Sequence, residues 1–555
     1  MTRTVVALFL AASASAALPQ VSAARAVPSS TLPSLGDNSD LTAAAERRIG
    51  DRIAASIYRD PDFVDDPVLV DYIQGIWQPL KNAARARGDL SPELDERFAW
   101  QFFLLRDKSI NAFALPGGYF GVHLGLIGAV SNRDELAAVL GHEMSHVTQR
   151  HISRLMTQEA RQMPWLVAAM VLGALAASKN PNAASAAIVG GQALAIQNQL
   201  SFSRDMEREA DRVGFGVMLD AGFESRGVTT MFEKLQQASR LNDNGAFPYL
   251  RSHPLNTERI AEAQSRVQLA VVAAVPPNAE TAQDAAQMRI LHAMMAGRAR
   301  LLAAPGVDTQ RTSVAQAQAR VVSPPGTAAV FVDSPAATAT TTTTTTNTMA
   351  VLPPVVIREG RDPAAQRAGA LYAGALAAAQ LRDFALSRSL LVALKPHLTP
   401  NTEAMRAFSL LNTEIDLMER TVPASTATTD MGRLQTRAEV LVQGRALLAA
   451  QRPKEVASRM QTWVADSPKD AAAWDLLSAA YTAQGLSVRA IRADAESRFA
   501  MLDYPAALDR FKAAQGLMRS NPAAADYVEG SIIDTRARQT ESIIKEQALQ
   551  DKIDR

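Results

Sequence analysis

The stretch VLGHEMSHVTQRH, Val139 to His151, decides how this sequence is read. His142 and His146 are four positions apart, so on a helix they share one face and can grip one metal ion. Glu143 follows the first histidine and stands beside that ion, where it can take a proton from bound water. Zinc supplies the other half of the task by acidifying the water and polarising a carbonyl. The flanks agree with a helix. Ser131 or Asn132 is the N-cap candidate, Asp134 and Glu135 fall in the first turn, and the apolar Leu136, Val139 and Leu140 carry the pattern on to about Arg154.

A catalytic zinc keeps three protein ligands and one open position. The third ligand must come from elsewhere. A metzincin would carry Gly and then His where Gln149 and Ile152 stand, so that class is excluded. His151 is one residue out of register and reads as a helix-end histidine. A second acidic stretch, SRDMEREAD from Ser203 to Asp211, offers a ligand. Glu207 and Asp211 are again four apart on one face. Glu207 can bind zinc while Asp211 accepts a hydrogen bond from a ligating histidine, and Glu209 is expected to point elsewhere. Alone, this segment would read as a solvated charged helix; the upstream HExxH favours the metal reading.

Composition narrows the rest. The chain has 555 residues, a net charge of +1, seven histidines and no cysteine. Disulfides, thiolate metal sites and N-terminal lipidation at a cysteine are excluded, and the charge gives no case for nucleic-acid binding. Abundant alanine predicts a helix-rich protein. Residues 1–23 read as a secretory signal peptide, with Val21-Ser22-Ala23 as the cleavage site and Ala14-Ser15-Ala16 as the second choice. The peptidase domain is expected over 24–275. Within it, Asp40–Arg59 and Asp66–Arg87 are amphipathic helices, and Trp100–Leu105 is a strand. Ala112–Leu115 and Tyr119–His123 are short extended segments around the turn Pro116-Gly117-Gly118. Met163–Ala177 is strongly apolar but about fifteen residues long, against about twenty for a membrane span. That length favours a buried helix over a membrane-touching hairpin, and peripheral membrane contact stays open.

Residues 276–303 read as a helical connection or first repeat helix. Residues 304–359 are rich in Pro, Ala, Ser and Thr, with an unbroken Thr340–Thr346 run, and read as a low-complexity linker or insertion. Residues 360–535 carry tetratricopeptide-like texture: Trp474, Leu477, Ser478, Tyr481 and Ala490 fit that spacing. Ala457 and Ala490 lie 33 positions apart, near the 34-residue period. Residues 536–555 form a helical tail. His123, His292 and His397 read as structural.

HEMSH followed by SRDMEREAD resembles the M48 zinc peptidases, which include Ste24-like and HtpX-like enzymes. The upstream NAFALPGG, Asn111–Gly118, looks like a segment of the same family. The resemblance maps the third zinc ligand onto Glu207. In zincins an edge strand holds substrate extended, which would here be Gly118, Tyr119, Phe120 and Gly121. Arg251-Ser252-His253-Pro254, with Arg259 following, resembles a segment found after the catalytic core. His253 would there be a fourth ligand holding the enzyme latent, or an oxyanion donor. The alternative is a loop-to-helix cap, with Pro254 near the first helical position. A signal peptide, an M48 domain and C-terminal repeats together resemble the periplasmic BepA/YfgC subgroup.

The expected fold is therefore α+β and mostly helical: a zincin-like (gluzincin) domain with a small sheet, then an α-helical tetratricopeptide-repeat domain. The expected activity is a secreted, periplasmic zinc endopeptidase with one Zn2+ per chain on His142, His146 and Glu207, and Glu143 as base. The resemblance implies unfolded or stalled envelope proteins as substrates, and outer-membrane assembly machinery as a partner of the repeats. The alternative is a chaperone or scaffold acting through its repeats, with latent proteolysis. A membrane-embedded protease is disfavoured, because several twenty-residue apolar spans are missing.

Overall fold

Capping residues set the first helices. The Thr42 and Asp66 side chains accept backbone N–H groups at the starts of α1 (Ala43–Ile57) and α2 (Pro67–Arg87). Between them lies β1 (Phe63–Val64), and a short α3 (Pro92–Arg97) follows. The computed structural model describes residues 41–162, 203–241, 249–273, 279–322, 362–400, 402–422, 431–520 and 527–553. The signal-peptide reading of 1–23, the apolar 163–177 stretch and the Thr340–Thr346 run lie outside the described residues.

Three further strands complete a four-stranded sheet: β2 (Gln101–Leu105), β3 (Ala112–Leu115) and β4 (Tyr119–His123). Gly117 and Gly118 make the β3–β4 turn at φ +75° and +77°, a left-handed path that glycine takes without strain. Strand order is β1-β2-β4-β3, with β2 and β4 parallel and the other pairs antiparallel. This order corrects the expected substrate strand. Tyr119, Phe120 and Gly121 pair with Gln101, Phe102 and Phe103 on one side and with Leu115, Ala114 and Phe113 on the other. Both ladders of that strand are used, so it cannot take a third partner. The edges of the sheet are β1 and β3, and β3 is the one that reaches Glu143, through Ala114 N. Alternation then buries both faces of the sheet. Phe120 and Val122 join Trp77 in the main core, while Tyr119 joins Phe103, Phe113 and Ile53 in a second cluster.

After α4 (Leu124–Ala129), Asn132 caps α5 (Arg133–Thr148) by accepting the N–H groups of Asp134 and Glu135. This helix does not continue to Arg154 as expected. It stops at Thr148; Arg150 takes a left-handed φ of +56°, and α6 (His151–Gln162) starts anew. The Arg150 guanidinium explains the break: it donates to Leu41 O, Glu46 Oε2 and Ser153 Oγ, pinning the corner to the start of α1.

Ser203 caps α7 (Arg204–Asp220), and α8 (Arg226–Leu241), α9 (Tyr249–Ser252) and α10 (Thr257–Ala273) follow. Helices α5 and α7 cross at Gly141 and Gly214 with no side chain between their backbones. A Cβ on Gly214 would sit 2.9 Å from the Gly141 carbonyl carbon. That approach sets the faces bearing His142 and Glu207 against each other.

The helices that follow do not begin a separate core. Ile290, Met294 and Met295 of α11 (Ala279–Ala303) pack into the same apolar cluster as α2 and α5. So do Leu371, Leu390 and Leu411 of α13 (Pro363–Gln380), α14 (Phe384–Leu394) and α15 (Glu403–Glu419). The linker reading of 304–359 is corrected at its start. Val307–Val322 forms α12, which packs on α13 with Ala317 buried; its alanines supply enough apolar surface to dock a helix. Helix α16 (Arg437–Ala449) faces two cores, with Ala438 and Val442 in the main cluster and Val440, Leu441 and Leu447 in a second one, and only beyond it are the cores separate. Helices α17 (Pro453–Asp466), α18 (Ala471–Ala483), α19 (Ser487–Ala500), α20 (Tyr504–Ser520) and α21 (Tyr527–Ile553) each pack on the next. The 535/536 boundary falls inside α21, so the tail is not a separate element. Among the described residues, no helix is long and apolar enough to cross a membrane.

Candidate active site

Three segments meet under the edge strand β3. Helix α5 contributes His142, Glu143 and His146, α7 contributes Glu207 and Asp211, and the turn after α9 contributes His253. Ligand atoms of His142, His146, Glu207 and His253 all lie within 4.8 Å of one another, and all four residues are buried. The Nε2 atoms of His142 and His146 are 3.0 Å apart, and each lies 3.5 Å from a Glu207 oxygen. His253 Nδ1 is 2.9 Å from Glu207 Oε1 and 3.3 Å from His142 Nε2. Its ring stacks on Tyr249, with centroids 4.7 Å apart.

The donor set fits zinc. Two imidazoles and a carboxylate at these separations suit an ion bonded at about 2.0–2.2 Å to each. His142 Nδ1 lies 3.0 Å from Asp211 Oδ1. A carboxylate only accepts, so Nδ1 carries the proton and Nε2 keeps its lone pair for a metal. Glu207 Oε2 is buried and accepts no well-formed hydrogen bond. Arg259 nonetheless pairs with it at 2.8 Å, and grips Asp211 through two bonds of 2.6 and 2.8 Å.

Charge states follow from burial and neighbours. Burial opposes a charged His142, yet Asp211 and Glu207 pull its pKa up to about 10. The pair thus calls for a positive charge, which a bound cation supplies in the proton's place. Burial favours the protonated form of Glu207, but His253 and His142 hold its pKa well below the usual carboxylate range. Burial raises the Glu143 pKa, against the pull of His253 and His142. Ala114 N in β3 donates to Glu143 Oε2 at 3.1 Å, leaving Oε1 with no hydrogen bond.

One feature went unread in the sequence, the set of partners that His151 meets. His151 does stand at a helix end, as the first residue of α6, but it is fully buried: its Nδ1 lies 2.9 Å from His146 Nδ1 and its Nε2 lies 3.0 Å from Glu209 Oε2. Arg259 ties Glu207 and Asp211 of α7 to the Pro254 carbonyl. The proximity of His151 to the motif was a signal, but only the helix break turns it inward. His123, bonded to Ser109, and His292, bonded to Tyr72 and Val130, lie apart from this cluster. An apolar cavity beside His142 is lined by Val139, Phe215, Met231, Phe232, Leu235 and Tyr249.

Comparison with known proteins agrees with this geometry. The chain is 35% identical over 237 residues to a relative in Vibrio cholerae serotype O1, covering 42% of this chain and 47% of the relative. It is 33% identical over 249 residues to the beta-barrel assembly-enhancing protease of Escherichia coli K12, covering 44% and 49%. It is 30% identical over 195 residues to the mitochondrial metalloendopeptidase OMA1 of Arabidopsis thaliana, covering 35% and 36%. The matched stretch spans about half the length of the two bacterial relatives. The model of peptidase family M48 matches residues 82–267, the span that holds every residue of the cluster. This chain carries a peptidase family M48 domain.

Proposed function

We propose that this protein is a periplasmic zinc endopeptidase acting on unfolded or stalled outer-membrane proteins. The observation that carries the reading is the buried convergence of His142, His146 and Glu207 with Glu143 alongside. One zinc held by His142, His146 and Glu207 would polarise the scissile carbonyl and acidify the attacking water. Asp211 holds the His142 tautomer. Glu143 takes the water proton at Oε1, the oxygen without a hydrogen bond, and passes it to the leaving amine. Its raised pKa suits a group that must both accept and return a proton. Substrate backbone would lie along β3, the edge strand whose Ala114 N–H already reaches Glu143.

The bacterial relative's printed name, beta-barrel assembly-enhancing protease, supports the substrate class. The signal-peptide reading of 1–23 supports export. The successive packing of α17 to α21 supports a tetratricopeptide-like scaffold that recruits assembly machinery. A second reading, latent proteolysis with the helices acting as scaffold, is favoured by one observation. His253 stands within the ligand group, 2.9 Å from Glu207, where it can fill the open position.

Zinc content and cleavage of unfolded casein test both. Wild type should hold about one zinc, and Glu143→Gln should keep it while cleaving ~100-fold more slowly or worse. His253→Ala should cleave faster if His253 blocks the open position, and slower if it supports the oxyanion. A wild-type protein that binds no zinc would end the catalytic reading.

A further inference from the structure

We propose that His151 and Glu209 form a positioning relay for His146, one that fixes which of its nitrogens faces the metal. The inference rests on the metal reading above. His142 and His146 are held in different ways. His142 Nδ1 meets a carboxylate directly, at 3.0 Å from Asp211. His146 Nδ1 meets another imidazole, 2.9 Å from His151 Nδ1, and that ring's Nε2 lies 3.0 Å from Glu209 Oε2. Arg154 Nη2 donates to the same Glu209 oxygen at 3.1 Å, which holds the carboxylate in place.

Hydrogen-bond polarity then runs in one direction. A carboxylate can only accept, so His151 Nε2 carries a proton. A neutral His151 therefore has a bare Nδ1. Two bare nitrogens would repel at 2.9 Å, so His146 Nδ1 must be the donor. Its Nε2 is left with the lone pair, on the side facing His142 and Glu207. The wrong His146 tautomer would point an N–H at the ion.

The backbone is built for this. On an unbroken helix, His151 would stand about 140° around the axis from His146. The left-handed Arg150 ends α5 and swings the His151 ring back beneath His146. Glu209, two residues from Glu207, faces α6, where the ring of His151 spans the gap. His146 and His151 are both fully buried, so water cannot substitute for the missing partner.

The test uses the full chain and a chelating dye that competes for zinc. His151→Phe keeps the ring's bulk and removes the acceptor. It should weaken zinc binding ~10- to 100-fold, with denaturant stability of the zinc-free protein little changed. His151→Gln, whose side-chain carbonyl can accept from His146 Nδ1, should recover most of that loss. A cobalt-loaded His151→Phe protein should show an altered ligand-field spectrum. Equal zinc affinity in wild type and His151→Phe would overturn the relay alone. If wild type bound no zinc, the metal reading would fall and the relay with it. Should His151→Phe not fold, ring 15N shifts of zinc-loaded wild type decide: a bare Nδ1 on His151 supports the relay, and a protonated one refutes it.

Discussion

Gly141 and Gly214 touch backbone to backbone, and the catalytic cluster hangs on that contact. A Cβ on Gly214 would fall 2.9 Å from both the carbonyl carbon and oxygen of Gly141, and 3.0 Å from His142 N. None of these atoms can yield without moving a helix. Gly214→Ala should cost about 1–3 kcal/mol of stability and weaken zinc binding by pushing Glu207 away from His142. Denaturant midpoints and chelator competition on one preparation read both. Unchanged values would show that the helices can part without cost.

Ala114 offers a cleaner probe of the edge strand. Its N–H faces Glu143 and lies on the open side of the sheet, where proline is tolerated. Ala114→Pro should keep the fold and slow peptide cleavage ~10- to 100-fold, the worth of one hydrogen bond to a charged group. Circular dichroism and casein cleavage are the readouts. Full activity in Ala114→Pro would remove this N–H from the mechanism.

Arg298 ties the catalytic half to the helices behind it. Its guanidinium meets Asp66 through Nε at 2.9 Å and Nη2 at 2.7 Å, and reaches Glu414 through Nη1 and Nη2, each at 2.7 Å. Arg298→Ala should destabilise by about 3–5 kcal/mol, because it strands two carboxylates at a buried interface. Replacing all three residues with apolar ones of similar volume should restore much of that loss, and urea unfolding of both proteins measures it.

His292 should make the fold sensitive to acid. Its Nε2–H donates to Val130 O at 2.8 Å, while Nδ1 accepts from the Tyr72 hydroxyl at 2.6 Å. Burial foremost, with Lys234 and Arg300 adding, lowers its pKa from 6.5 to about 4. The unfolded chain therefore binds a proton between those values that the folded chain refuses. Stability is full above pH 6.5 and falls as pH drops towards 4, by about 3 kcal/mol in all. His292→Gln should flatten this slope in urea melts taken between pH 7 and 4.5. A slope unchanged in His292→Gln would assign the acid sensitivity elsewhere.

Local periodicity carried the reading of the site. His142, His146, Glu207 and Asp211 each sit on a helix at a spacing of four, which puts each pair on one face whatever surrounds it. The strands also announced themselves, through Trp100–Leu105 and the Pro116-Gly117-Gly118 turn. Pairing between distant segments was not legible. Tyr119–Gly121 looked like an edge because nothing in its own residues records that β2 runs alongside it in parallel.

The sequence by itself determined which residues can share a helix face, which segments are strand or helix, and what chemistry HExxH with a later Glu207 can support. These depend on backbone geometry within a few residues. Only the tertiary structure decided that β3 rather than β4 is the open edge, that α11 to α15 continue the catalytic core, and that Arg150 breaks the helix to bring His151 under His146. Those outcomes depend on contacts between residues far apart in the chain, such as Arg150 with Glu46 and His151 with Glu209. Such contacts form only when the whole core packs.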